Sequence, residues 1–229
     1  MAAMAICSFR QFPVEIGVRG CGGEVLRGCG DERPEVAEGG RRAADRRKAA
    51  AEQGRRQQQR RELEKDRDEI AGVSAQAVIA GLAASLEHLV DSAGPQRYAC
   101  SRFHAYEAPP IGVFDYVVRL RKYYRCSLEC FVLALVYMLR VTERHSEVQV
   151  GELSCHRLLA ASLTLAVKFH DDSAGSSRFY AGICGLPARE LGTLEREMLG
   201  LLGGELMVQS EEFDACLTSL RRAGCAYFA

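Results

Sequence analysis

The chain is 229 residues long, with 30 lysines and arginines against 30 aspartates and glutamates, so bulk charge draws it to neither nucleic acid nor an anionic membrane. Hydrophobic residues make up 48%, enough for a core, although tryptophan is absent and aromatic residues reach only 7%. No run approaches the ~20 consecutive apolar residues of a membrane-spanning helix; the longest candidate, Cys130 to Leu139, is short and closely flanked by Arg125 and Arg140.

Residues 1–70 read as a low-complexity tail. Its first forty carry repeated glycines (Gly17, Gly20, Gly22, Gly23, Gly28, Gly30) without strand or helix period, and residues 41–69 hold one large aliphatic side chain at Leu63. That stretch is expected to be disordered or a loose solvated helix, with Glu62 and Asp66 opposed by Lys65 and Arg67. Its basic runs are interrupted by acidic residues, which weakens a nucleic-acid or import-signal reading. The first residues lack the basic start and continuous apolar stretch of a secretion signal, so a cytoplasmic or nuclear protein with reduced thiols is expected.

Residues 71–222 carry helical period, and residues 223–229 read as a short C-terminal tail. Val73, Ala77, Ile79, Ala80, Leu82, Ala83, Leu86, Leu89 and Val90 form the first apolar face, ended by Gly94-Pro95. Pro109 and Pro110 break the following link. A helix restarts over residues 111–124, with Ile111, Phe114, Tyr116, Val117 and Val118 facing in and Arg119, Arg121 and Lys122 facing largely out. Ser127 is the expected N-cap of the next helix, whose apolar residues from Leu128 to Leu139 place it at the centre. A further central helix spans about 153–169 and is stopped by DDSAGSS. A short element around Phe179 follows, then a helix of about 187–202 stopped by Gly203-Gly204, and a last amphipathic segment over 211–222. No strand pattern competes, so the fold class is all-α.

The ten cysteines include no C-x-x-C pair, and neither Cys126 with Cys130 nor Cys155 with His156 has two further ligands nearby in sequence. His170, Asp171 and Asp172 cannot all face one point on a helix. Cys155 and His156, as helix neighbours, point about 100° apart and make no nucleophile-base pair. No catalytic residue, metal or cofactor is therefore expected.

The order of the pieces says more than their period. FHAYEAPPIGVFDYVVRLRKYYRCSLECFVLALVYMLR, then CHRLLAASLTLAVKFHDD, then FYAGICGLPARELGTLEREML, resembles the cyclin family, and most closely its phosphate-pathway, single-box members called P-type or U-type in plants. The resemblance covers roughly residues 73–217. It implies a cyclin-like helical bundle, a five-helix box with flanking helices, acting as the regulatory subunit of a cyclin-dependent protein kinase. Such a subunit is not an enzyme; it docks beside the kinase αC helix so that the αC glutamate can pair with the catalytic lysine. The family positions that carry docking fall on Lys168 and Glu195, with Phe169 and Leu206 in the accompanying apolar patch. A charge pair of this kind fixes register more than it adds affinity. Two departures stand out: Leu139-Arg140 where the family has Asp-Arg, and Gly203-Gly204 where it places a large aromatic. The competing expectation is a cyclin-like adaptor that binds the transcription machinery or nucleic acid, which would need a basic stripe on the folded domain.

Overall fold

The computed structural model describes residues 68–93, 101–172 and 174–227, together with Arg47, Lys48, Ala51, Gly54 and Gln58. The chain divides into two units, and the elements below belong to the one that contains Asp66–Ala229. In the other unit, the five isolated residues are helical and exposed. The charge pairs expected at Glu62 to Arg67, the glycine-rich first forty residues and the last two residues lie outside the described residues.

Seven α-helices account for nearly all the regular structure among the described residues: α1 (Ala75–Ala93), α2 (Val113–Tyr123), α3 (Glu129–Arg144), α4 (Cys155–His170), α5 (Ser177–Cys184), α6 (Ala188–Leu201) and α7 (Ser210–Tyr227). The all-α reading holds with one small correction. A two-stranded antiparallel hairpin, β1 (Glu69–Ile70) and β2 (Val73–Ser74), pairs Glu69 with Ser74 and Ile70 with Val73. Ile70 and Val73 are buried, and Ala71 and Gly72 make the turn with positive φ. The hairpin straddles residues 70 and 71 and belongs to the same unit as the helices. Two residues per strand give the alternation of a sheet no length in which to be recognised.

The centre is the pair α3 and α4, which pack on each other. Both are apolar around most of their circumference: every residue from Cys130 to Met138 and from Leu158 to Val167 is buried. A helix without a polar face cannot meet water, so the other elements cover it. α6 packs on α4, α1 packs on α2 and α3, and α7 lies along α1 in the most extensive helix pair of the domain. That last pair crosses at backbone contact. A Cβ built on Gly81 would lie 2.0 Å from the Leu220 carbonyl oxygen, and one on Gly224 would lie 2.1 Å from that of Ala77.

The two polar side chains buried inside α4 are satisfied. Thr164 Oγ1 donates to the Ala160 carbonyl (2.6 Å) and lies 2.5 Å from the hydroxyl of Tyr124; Ser162 donates to the Met198 sulfur at 3.8 Å. Tyr124 stacks on Tyr180 at 4.4 Å between centroids, which fastens α5 over the end of α2. Arg119 Nε, donating to the Ile183 carbonyl, adds to the same junction. Arg121 is not the solvent residue expected of it. Its side chain is only 10% exposed, ion-paired with Asp68 and donating to the Cys126 carbonyl.

His156 shows how the core fixes a protonation state. Its Nε2 lies 2.9 Å from the Ile111 carbonyl; a carbonyl only accepts, so Nε2 carries the proton. Nδ1 is buried with no hydrogen-bond partner among the described residues, and the ring packs on Tyr116 at 4.8 Å. Burial lowers the His156 pKa from its ordinary 6.5 despite the opposing bond to Ile111, because a second proton would charge a dry nitrogen. The folded state then binds fewer protons than the unfolded chain once the pH drops below about 6.5, and stability falls there. The melting temperature of the wild type is expected to drop between pH 7 and pH 5 more steeply than that of His156→Gln, whose amide keeps the donor to Ile111. Parallel profiles would refute the assignment.

Candidate functional site

The end of α4 and the middle of α6 bring Lys168 and Glu195 together. Lys168 Nζ donates to Glu195 Oε2 at 2.5 Å and to Ser177 Oγ at 2.7 Å. The positions follow from local sequence. Lys168 lies in the last turn of α4, where a cation meets the negative end of the helix dipole. Glu195 lies one residue after Leu194 and three before Met198, both buried against the core, so its carboxylate emerges at the edge of the apolar stripe. The Glu195 side chain is only 11% exposed and that of Lys168 is 32% exposed. Glu195 Oε1 is buried and accepts no hydrogen bond among the described residues. The lysine thus neutralises a sunken carboxylate, one oxygen of which is buried and has no hydrogen-bond partner among the described residues.

An apolar surface accompanies the pair. Phe169, directly after Lys168, is 48% exposed, and Phe179 and Leu199 are also exposed. Phe179 is held by the first turn of α5, where Ser176 caps the helix by accepting from the Phe179 N–H. It meets Tyr180 edge-on at 5.3 Å. Ser177 and Phe179 escaped sequence reasoning as members of this site because eight residues of helix show too little period to orient them. The run DDSAGSSRFY, in which a serine pair precedes an aromatic, is the one signal for a capped helix start there.

Leu206 sits in a different neighbourhood. It is half-buried in the link between α6 and α7, and its carbonyl accepts from the Tyr137 hydroxyl at 2.8 Å. Arg140 holds the same link: its Nη1 donates to the Glu205 carbonyl and its Nη2 to that of Met207, both at 3.0 Å. Nε and Nη2 grip Glu212 of α7 with both carboxylate oxygens, an arrangement only a guanidinium can make. Arg140, the residue that this chain keeps of the family Asp-Arg pair, thus clamps the α6–α7 link. Gly203 and Gly204 in that link have φ of 63° and 76°. Both are left-handed, so the residue in place of the family aromatic also has a backbone that favours glycine.

The Cyclin family model matches residues 41–206, well over half of the chain. The chain belongs to the cyclin family. Among curated relatives, Cyclin-U4-1 of Arabidopsis thaliana is 34% identical over 151 residues, covering 63% of this chain and 75% of the relative. Cyclin-P3-1 of Oryza sativa subsp. japonica is 38% identical over 120 residues, covering 52% and 50%. Cyclin-U1-1 of Arabidopsis thaliana is 35% identical over 113 residues, covering 49% and 54%. The match thus spans three quarters of one relative and about half of the other two, and the U-type and P-type resemblance of the motifs agrees with all three. Within this cyclin, no helix of the described residues is long and apolar enough to cross a membrane.

A second cluster emerges that adjacency in sequence hides. Asp171, just past the end of α4, accepts from the Ser127 N–H (2.9 Å) and from Ser127 Oγ (2.6 Å). Ser127 is therefore not the N-cap of α3; Leu128 occupies that position without a side-chain cap. The serine ties the α2–α3 link to the end of α4 instead, through charge-assisted bonds from its N–H and hydroxyl to the carboxylate.

Proposed function

We propose that this cyclin is the regulatory subunit of a cyclin-dependent protein kinase, docking through the surface around Lys168 and Glu195. The observation that carries the proposal is the buried Glu195 carboxylate, neutralised by Lys168 yet with one oxygen unpaired, beside exposed Phe169, Phe179 and Leu199. A buried acceptor without a partner among the described residues is costly; a turn of the partly exposed Lys168 side chain and of Glu195 on docking would open it to a partner's backbone N–H groups, while the partner's apolar residues cover the phenylalanines. Leu206 would contribute at the margin, from the link held by Arg140. Docking of this kind supplies no chemistry of its own. It holds the kinase αC helix in its active position and contributes to substrate choice, in cell-cycle or phosphate signalling. The same reading places the protein in the cytoplasm or nucleus.

The adaptor alternative has less support. Of the basic run on α2, Arg119 is bonded to the Ile183 carbonyl and Arg121 to Asp68 and Cys126, so neither is free to line a phosphate-binding stripe.

Capture from native lysate tests the proposal, with wild type, Lys168→Met and Glu195→Gln compared for bound kinase and its activity. Wild type should retain a cyclin-dependent kinase, and each variant should lose at least about tenfold in associated activity, equivalent to ~1.4 kcal/mol. Equal kinase activity in all three eluates, or none with the wild type, would overturn it.

A further inference from the structure

Outside the docking surface, Cys126 and Cys130 converge with Asp171, their sulfurs and a carboxylate oxygen all lying within 4.8 Å of one another. Cys126 lies in the α2–α3 link, after Arg125 with its φ of 52°. Cys130 lies in the first turn of α3, and Asp171 ends α4, its N–H donating to the Val167 carbonyl. Cys126 is half-buried and Cys130 buried. The hydrogen bonds run in one direction. Ser127 Oγ spends its only proton on Asp171 Oδ1, so the contact of 3.2 Å between Ser127 Oγ and Cys130 Sγ has the thiol as donor.

We propose that Cys126, Cys130 and Asp171 form a zinc-binding site, with Ser127 orienting the carboxylate. Two sulfurs and an oxygen suit a d10 divalent cation, which accepts both donor types and imposes no geometry of its own. Tetrahedral zinc with bonds of about 2.0–2.3 Å places its donors roughly 3.3–3.8 Å apart, so the cluster needs to close by only about an ångström. Binding releases the two thiol protons. The two thiolates and the carboxylate are then offset by the cation and by Arg121, which donates to the Cys126 carbonyl beside the site. The fourth position faces the half-exposed Cys126 side and is filled by water. Ser127 supplies the outer-sphere bond that metal-binding carboxylates commonly require. A bound ion would lock the α2–α3 link to the end of α4, close to Lys168 in the chain. The proposal does not depend on kinase docking.

Titration of the reduced full chain with Co2+, followed by displacement with Zn2+ against a chromophoric chelator, tests the site. A thiolate-to-cobalt charge-transfer band should appear in the wild type and in Cys225→Ser, which alters an exposed thiol elsewhere. Cys126→Ser and Cys130→Ser should each lose one equivalent of zinc relative to wild type, and Ser127→Ala should bind about 10–100-fold more weakly. Zinc should also protect Cys126 from alkylation while Cys225 remains reactive, as read by peptide mass spectrometry. If Cys130→Ser fails to fold, the half-exposed Cys126 and Ser127 variants still decide. Unchanged zinc stoichiometry in Cys126→Ser, or loss of both thiols to a disulfide without metal uptake, would overturn the proposal.

Discussion

Gly81→Ala is expected to destabilise this cyclin by about 2–4 kcal/mol, although the same substitution in an open helix stabilises. Gly81 lies inside α1 with its would-be Cβ at 2.0 Å from the Leu220 carbonyl oxygen, and further backbone atoms of Leu220 lie within 3 Å. A backbone carbonyl has no rotamer through which to yield, so α1 and α7 must separate, losing packing along their whole shared face. Greater helix propensity returns only about 0.8–1 kcal/mol. Gly224 repeats the contact against Ala77, and the paired positions, 81 with 220 and 77 with 224, make the crossing antiparallel. Gly192 is the internal control: it lies within α6 with nothing inside 4 Å of its Cβ position. Gly192→Ala should gain about 0.5–1 kcal/mol. Thermal melts should separate the two variants in opposite directions from wild type, with Gly81→Ala lower by roughly 4–16 °C for a domain of this size. A Gly81→Ala variant as stable as wild type would show that the helices do not approach at backbone distance.

That contact also marks where the sequence stops being readable. The helices of the core were legible because α3 and α4 are apolar almost throughout and the links between helices carry proline, glycine or charge. Lys168 and Glu195 were singled out only through the cyclin resemblance, since a lysine ending a helix and a glutamate on its surface are ordinary residues by composition. Gly81 carries no local mark of its role; what distinguishes it is a carbonyl 139 positions away in the chain. Ser127 and Asp171 failed for the same reason. The local rule assigned serine to the amides of α3, and a carboxylate brought from the end of α4 outcompeted them. Arg121 followed the helical wheel toward solvent until Asp68, in the stretch taken as tail, folded back onto it. Long helices whose apolar faces run along the chain were read correctly; elements too short to show a period, and residues whose partners arrive through tertiary packing, were not.

The Lys168–Glu195 pair makes charge reversal at one position a mixed experiment. In Lys168→Glu two carboxylates would occupy the space of one ion pair, one of them the sunken Glu195 side chain. Breaking such a pair leaves an uncompensated buried charge, at a cost of roughly 2–4 kcal/mol, somewhat below that of a fully dry pair because Lys168 keeps some access to water. Loss of kinase activation by that variant would therefore mix weakened folding with lost docking. The double variant Lys168→Glu/Glu195→Lys separates them, because it restores opposite charges at the same two positions while exchanging acceptor and donor at the surface. Its stability should recover at least half of the loss, seen as a favourable coupling energy in the double-mutant cycle. Kinase activation should stay at least about tenfold below wild type, since a lysine at position 195 offers no oxygen to a partner's N–H groups. Recovery of both stability and activation in the double variant would mean that the pair serves the fold alone, and docking would then have to rest on Phe169 and its apolar neighbours.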